Sequence, residues 1–257
     1  MLAILSPAKD MEVFPFEFQD VVQFSEPQFL DKSARLVEDL NRLNPSEFEQ
    51  IMAVSQKLAH LNINRLLRWQ RHHTVKNSMP SILAFTGEVY RGLRSSEMRL
   101  DDLLYSQNVL RILSGLYGSL RPFDLIQEYR LEMGLKYNFS IGKNLYEIWR
   151  EDITNELNKA IANSPGDKVL VNLASKEYSS AIDLEKLNYP VVTASFFEER
   201  QGKLKMVTVY AKKARGTMAR FIIENRIENI EDISAFYSDG YYFDNVRSTE
   251  KELVFVR

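Results

Sequence analysis

The chain of 257 residues carries 33 Lys plus Arg against 35 Asp plus Glu, a formal charge of −2, with 45% hydrophobic residues and no cysteine. The lack of cysteine excludes disulfides, thiolate zinc sites, cysteine-ligated iron–sulfur clusters and a cysteine nucleophile. With 12 Tyr, 15 Phe, 2 Trp and 26% charged residues the composition is that of a folded globular chain, and its near-neutral total gives no whole-chain sign of a polyanion partner.

Residues 1–5 form an apolar run stopped by Ser6-Pro7 and then Lys9-Asp10. The run reads as a short buried strand, because Pro7 removes a backbone donor and restricts Ser6. It is too short for a signal-peptide core, and no stretch approaches the roughly 18 apolar residues of a membrane span. The expectation is a soluble, unexported, cytoplasmic protein with no membrane partner. A polar and aromatic loop follows to about Phe24.

Leu30, Ala34, Val37, Leu40 and Leu43 recur at three and four residues, one face of an amphipathic helix. Asn44-Pro45-Ser46-Glu47 offers a cap residue, proline at the first helical position and an acid three after the cap, so a second helix starts there. Ser55 and a break around Leu61-Asn62 predict a turn and a further short helix to about Arg71. Residues 82–85 are expected as a strand ending at Gly87, and Asp101-Asp102 as the start of a helix reaching Leu113.

Leu145, Ile148, Trp149, Ile153, Leu157 and Ile161 mark a long helix closed by Pro165-Gly166. Residues 168–174 have strand length, with Ser175 placed to cap a short helix. Residues 191–197 and 204–210, joined across Gly202, predict a hairpin. Residues 212–225 read as a helix burying Ala214, Met218, Phe221 and Ile222, and short strands near Tyr241 and over residues 253–256 complete the chain. The pattern is α/β or mixed α+β; without repeats, low-complexity tracts or linkers, one continuous domain over residues 1–257 is expected.

The charge is unevenly distributed. Residues 50–87 contain no Asp or Glu but hold Lys57, Arg65, Arg68, Arg71 and Lys76, together with all three histidines, His60, His72 and His73. Residues 200–223 also lack acids and hold Arg200, Lys203, Lys205, Lys212, Lys213, Arg215 and Arg220. Elsewhere 21 basic residues face 35 acidic ones, a balance of −14. Arg65, Arg68 and His72 fall at i, i+3 and i+7 with Trp69 at the edge, and Lys213, Gly216 and Arg220 line up similarly.

Basic faces with a neighbouring aromatic, and a glycine that permits close approach, are what contact with a phosphate backbone requires. Backbone contact with weak sequence preference is therefore expected of Arg65, Arg68, Arg71, Lys76, Lys212, Lys213, Arg215 and Arg220, since no base-reading motif is evident. The competing reading is that these are solvated helix faces whose compensating acids lie elsewhere in the fold.

Several strings resemble the YaaA family of bacterial peroxide-stress proteins: Ser6-Pro7-Ala8-Lys9, Phe85-Thr86-Gly87-Glu88-Val89-Tyr90, Leu113-Ser114-Gly115-Leu116-Tyr117-Gly118 running to Leu120-Arg121-Pro122, Tyr129-Arg130-Leu131-Glu132-Met133-Gly134, Asn172-Leu173-Ala174-Ser175 with Glu177-Tyr178, and Tyr210-Ala211-Lys212-Lys213-Ala214-Arg215-Gly216. They occur in the family's order over almost the whole chain; Asp10 stands where members often carry Thr.

The resemblance implies a single-domain fold peculiar to the family, with a basic cleft and a helix-hairpin-helix element. It also implies binding of duplex and branched DNA, and a role in the hydrogen peroxide response linked to limiting free iron and protecting DNA. The helix-hairpin-helix is expected at residues 48–71 with its hairpin at 58–62, adding Lys57, His60 and Asn62 to the DNA contacts. Such a hairpin presents N–H groups to a phosphate at the second helix's start. A weaker candidate spans residues 113–118, where Arg121-Pro122 disfavours an immediate second helix.

Other polar residues in these strings are not needed for a basic surface. Ser6 and Lys9 follow one predicted strand, Ser175 and Tyr178 another, and strand ends next to turns are where sites are commonly built. Lys9 with Glu132, or Lys212 with Glu132, would suit a lysine nucleophile or base assisted by a carboxylate, as in excision of a flipped base. The plainer alternative makes Lys9 and Glu132 a structural ion pair and Ser175 a helix cap. Direct iron binding at His72-His73 is disfavoured by divergent side-chain directions and a carboxylate-free, positive segment. No metal or cofactor is expected, and no Walker loop, Gly-x-Ser-x-Gly elbow or Rossmann glycine pattern is present.

Overall fold

A computed structural model of the protein describes residues 1–12 and 22–257. The loop expected to run to Phe24 falls mostly on residues 13–21, outside the described residues. The chain folds as a mixed α/β structure around a mostly parallel sheet.

Strand β1 (Leu2–Leu5) is buried along its whole length. Helix α1 (Leu30–Leu40) and helix α2 (Pro45–Met52) follow as the periodicity and cap predict. The Asn44 side chain accepts the Glu47 N–H and the Glu47 carboxylate accepts the Asn44 N–H, both at 2.9 Å. The chain breaks not at Leu61-Asn62 but at Ala53, which takes a left-handed φ of 50° and ends α2.

Helix α3 (Gln56–Arg68) then runs unbroken through residues 58–62, so the expected hairpin there does not exist. Asn62 does not interrupt α3 because its side-chain amide donates to the Leu58 carbonyl at 2.7 Å, and the residue is buried. His72 lies beyond the helix end, so it does not share a helical face with Arg65 and Arg68.

Strand β2 (Met79–Pro80) leads into α4 (Ser81–Ala84), a single turn where a strand was expected. A short apolar run fits either state by periodicity. Here the turn at residues 121–124 decides, taking the Ser81 and Ile82 N–H groups and the Ser81 hydroxyl on its carbonyls. Helix α5 (Glu88–Leu93) and helix α6 (Leu100–Val109) follow. Helix α6 stops four residues short of the expected end, because the apolar run Leu110–Ser114 becomes the buried strand β3.

Strand β4 (Gly118–Leu120) returns antiparallel to β3, and β5 (Leu125–Ile126) pairs with β2. Helix α7 (Leu145–Asn163) is the expected long helix. Strand β6 (Leu170–Asn172) is the centre of the expected strand, followed by α8 (Lys176–Ser179).

Strands β7 (Val191–Arg200) and β8 (Lys203–Lys205) form the expected hairpin, with a shorter return arm. The chain is already helical at Thr208, where α9 (Thr208–Glu224) begins. Strands β9 (Tyr242–Phe243) and β10 (Glu252–Val256) close the fold.

Among the described residues the main sheet has the order β4-β3-β1-β6-β7-β10-β9, with β8 attached to β7. Strands β3, β1, β6, β7 and β10 are mutually parallel. Ala3 in β1 lies opposite both Leu110 in β3 and Val171 in β6. Parallel strands covered on both faces require continuous apolar runs, and β1 and β3 are buried at every position.

Helices α5 and α9 meet at two glycines. A Cβ on Gly92 would sit 2.0 Å from the Lys213 carbonyl oxygen, and one on Gly216 would sit 1.7 Å from the Val89 carbonyl oxygen. Gly216 thus serves a helix crossing and is buried, not a point of close approach for an external phosphate.

Candidate functional site

From β1 the chain moves to β3 on one side, and from β6 to β7 on the other. The segments leaving the carboxyl ends of these two neighbouring strands therefore diverge and leave a crevice, the usual ligand position in an open α/β sheet. A cavity of about 250 Å³ lies here, lined by residues 6–10 after β1, by Leu173, Ser175, Glu177 and Tyr178 after β6, by residues 86–89 at the start of α5, and by Glu132, Lys212 and Arg215.

All five residues singled out as catalytic candidates, Lys9, Glu132, Ser175, Tyr178 and Lys212, are brought together around this cavity. Arg215, expected as a backbone contact, joins them, and residues 86–89 form a wall that strand periodicity did not foreshadow.

The Ser175 N–H donates to Ser6 Oγ at 2.8 Å, and Ser6 Oγ donates to Ser175 Oγ at 3.3 Å. Ser175 stands at the α8 cap position but its side chain makes no capping bond, which leaves its own hydroxyl proton for the cavity. The Ser6 carbonyl is fixed from behind by the Tyr90 hydroxyl at 3.1 Å. Glu132 is shared between Lys9 at 3.4 Å and Arg130 at 3.2 Å. The Lys9 side chain is 64% exposed, so this is an ion pair at the rim and not a lysine enclosed in an apolar site. Burial pushes the Tyr178 hydroxyl well above its ordinary pKa, reinforced by the nearby Tyr129 and the carboxylates Glu177 and Glu132.

The basic segments are compensated to different degrees. Arg65 pairs with Glu128 at 2.5 Å, Arg71 with Asp31 at 2.9 Å, Lys213 with Asp239 at 3.0 Å, and Arg220 with Glu224 at 2.8 Å and Glu97 at 3.6 Å. Asn62 is buried and engaged within α3. Lys57, His60, Arg68, Lys76 and Lys212 are exposed and have no ion-pair partner among the described residues. Helix α3 packs against α1 and α2, whereas α9 packs against α5, α6 and β7.

The histidines serve another purpose. His73 is buried with Nε2 3.2 Å from the Tyr117 hydroxyl and Nδ1 3.2 Å from the Arg71 carbonyl. Tyr117 already accepts the Trp69 indole N–H at 3.0 Å and the Gln127 N–H at 3.2 Å. Its own proton therefore goes to His73 Nε2, and Nδ1 carries the hydrogen that binds Arg71. Burial holds His73 below its ordinary pKa, in the neutral form this network needs. His72 instead faces Glu26 at 3.4 Å. Among the described residues no group of three or more His, Asp or Glu side chains is placed to hold a metal, and no helix is long and apolar enough to cross a membrane.

The strings that surround the cavity are spread from residue 6 to residue 215, and they include all but one of those that carried the family resemblance, the exception being residues 113–122. A family model described as peroxide stress protein YaaA matches residues 1–247, and the chain belongs to that family.

Proposed function

We propose that this protein binds DNA in the cytoplasm during the peroxide stress response, contacting the phosphate backbone of duplex or branched DNA with little sequence preference and so helping to protect it while free iron is limited. The family membership supports the stress role. The observation that carries the DNA reading is the set of exposed cations on and after α3, Lys57, Arg68 and Lys76, which no carboxylate among the described residues neutralises. Lysine and arginine left free in this way can replace the counterions condensed on a polyanion. Arg65, Arg71, Lys213 and Arg220 are already paired, and they drop from the expected contacts to secondary ones.

The test is charge reversal of Lys57 and Arg68 to Glu, with duplex affinity measured across salt concentrations. Each lost phosphate contact should lower the slope of log affinity against log salt by about one. A folded double variant with unchanged affinity and slope would remove α3 from the interface.

A second reading is catalysis at the cavity, favoured by the convergence of Lys9, Glu132, Ser175 and Tyr178 there. Glu132, placed at the cavity between Lys9 and Arg130, is the carboxylate that would take up a proton from a bound substrate such as a damaged or modified base. Glu132→Gln should then leave DNA affinity unchanged and abolish turnover of a lesion-bearing strand. Equal turnover by the variant, or no product from a broad panel of lesions, would sink this reading.

A further inference from the structure

Arg215 is the least compensated charge near the cavity. Its Nε is buried and has no hydrogen-bond partner among the described residues, and no carboxylate among them pairs with its guanidinium. Arg65 also has a buried, unpartnered Nε, but its outer nitrogens reach Glu128 and Asn62, so its charge is met. Holding one nitrogen of a half-buried guanidinium out of water without a partner is costly, and burial lowers the Arg215 pKa.

Carboxylates do line the same cavity, yet they are turned to other groups. Glu132 is held by Lys9 and Arg130, Glu88 by Arg91 at 2.6 Å, and Glu177 accepts the Gly134 N–H at 3.0 Å. Asp10 is exposed. One turn before Arg215 on the same helical face stands Lys212, also unpaired among the described residues and also lining the cavity. The Ser175 hydroxyl adds a donor with a proton to give.

The geometry points to an oxyanion site in this cavity, in which Arg215, Lys212 and the Ser175 hydroxyl hold the phosphate group of a nucleotide. A guanidinium fork engages two phosphate oxygens at once, and a lysine supplies a point charge to a third. Arg215 and Lys212 are thereby moved from contacts along a DNA backbone to anchors at the wall of a pocket. The inference rests on reading the cavity as a site and on no reaction there. The phosphate can come from a free mononucleotide or from the end of a DNA strand.

Thermal unfolding and calorimetry of the full chain test it with four probes at matched ionic strength: inorganic phosphate, a deoxynucleoside monophosphate, and a short single strand with and without a 5′ phosphate. Saturable stabilisation by at least one phosphate-bearing probe is expected, weakened by at least about tenfold in Arg215→Gln and unchanged in the remote Lys251→Gln. Saturation by the mononucleotide identifies a free nucleotide as the source. Saturation only by the 5′-phosphorylated strand identifies a strand end.

No saturation by any probe, or equal affinity in Arg215→Gln, overturns the site. Should Arg215→Gln fail to fold, the Lys212→Ala, Ser175→Ala double variant must show the same weakening, and undiminished binding there overturns it equally. Binding without turnover removes only the catalytic reading. Turnover without any phosphate effect removes only this one.

Discussion

The two acid-free stretches are fastened to the rest of the protein in opposite ways. Residues 50–87 are held by polar bonds to distant parts of the chain: Arg65 to Glu128, Arg71 to Asp31, and Trp69 and His73 to the buried Tyr117 hydroxyl. Residues 200–223 are held chiefly by close helix packing, with α9 pressed onto α5 backbone to backbone at Gly216 and Gly92. The first stretch therefore spends much of its charge on its own attachment and keeps a few cations at the surface. The second also pairs Lys213 with Asp239 and Arg220 with Glu97 and Glu224, but its packing leaves Lys212 and Arg215 at the cavity without an ion-pair partner among the described residues. A run of cations without local acids does not say by itself where its counter-charges lie; the mode of attachment does.

The sharpest way to break this contrast is at the helix crossing. Gly216→Ala places a methyl group against the Val89 carbonyl, where only backbone can give way, and should cost about 3 kcal/mol or more in urea unfolding. A loss below about 1 kcal/mol would mean that α9 is not held by this contact.

The corresponding cut in the first stretch is Tyr117→Phe, which leaves the Trp69 indole, the Gln127 amide and His73 Nε2 without their shared partner. A loss of about 2 kcal/mol is expected. The same network predicts a pH effect. The His73 pKa is depressed on folding, so its contribution is fully present above the unfolded value of about 6.5 and is lost as pH falls through the lower folded value. Stability measured from pH 8 to pH 5 should fall over that range, and less so in His73→Gln.

The smallest effect separates paired from free cations within α3. Arg65→Gln should cost about 1 kcal/mol by stranding the half-buried Glu128, while Arg68→Gln should stay within about 0.5 kcal/mol. Equal losses would erase the distinction on which the choice of DNA contacts rests.

Much of the fold was legible in the sequence because local signals were strong. The Asn44-Pro45-Ser46-Glu47 cap and the apolar spacing of α7 are short-range instructions that no tertiary contact overrode. Residues 82–85 and the end of α6 were misread for the opposite reason. Both are short apolar runs, and their state was set by partners remote in sequence, the turn at residues 121–124 and strand β1.

The supposed hairpin at residues 58–62 failed because Asn62 satisfies itself inside the helix, which a propensity for turns does not reveal. The residues of the cavity were named from strings at strand ends, but their meeting depends on β1 and β6 being neighbours with diverging exits. Arg215 was grouped with its neighbours because its chemistry looked like theirs; its unpartnered Nε and its place at the cavity set it apart.

The glycine crossing has a bearing on how anything enters the cavity. Residues 87–89 of one wall and Lys212 and Arg215 of another sit on α5 and α9, which the crossing clamps into a single rigid unit. These two walls cannot part without separating backbones that already touch. Breathing of the site is thus left to the segments that leave β1 and β6, and amide exchange at residues 6–10 and 173–178 should be faster than at the crossing itself. The same clamp holds the two cations in place on α9 while that edge moves, so a ligand entering there meets them already in position.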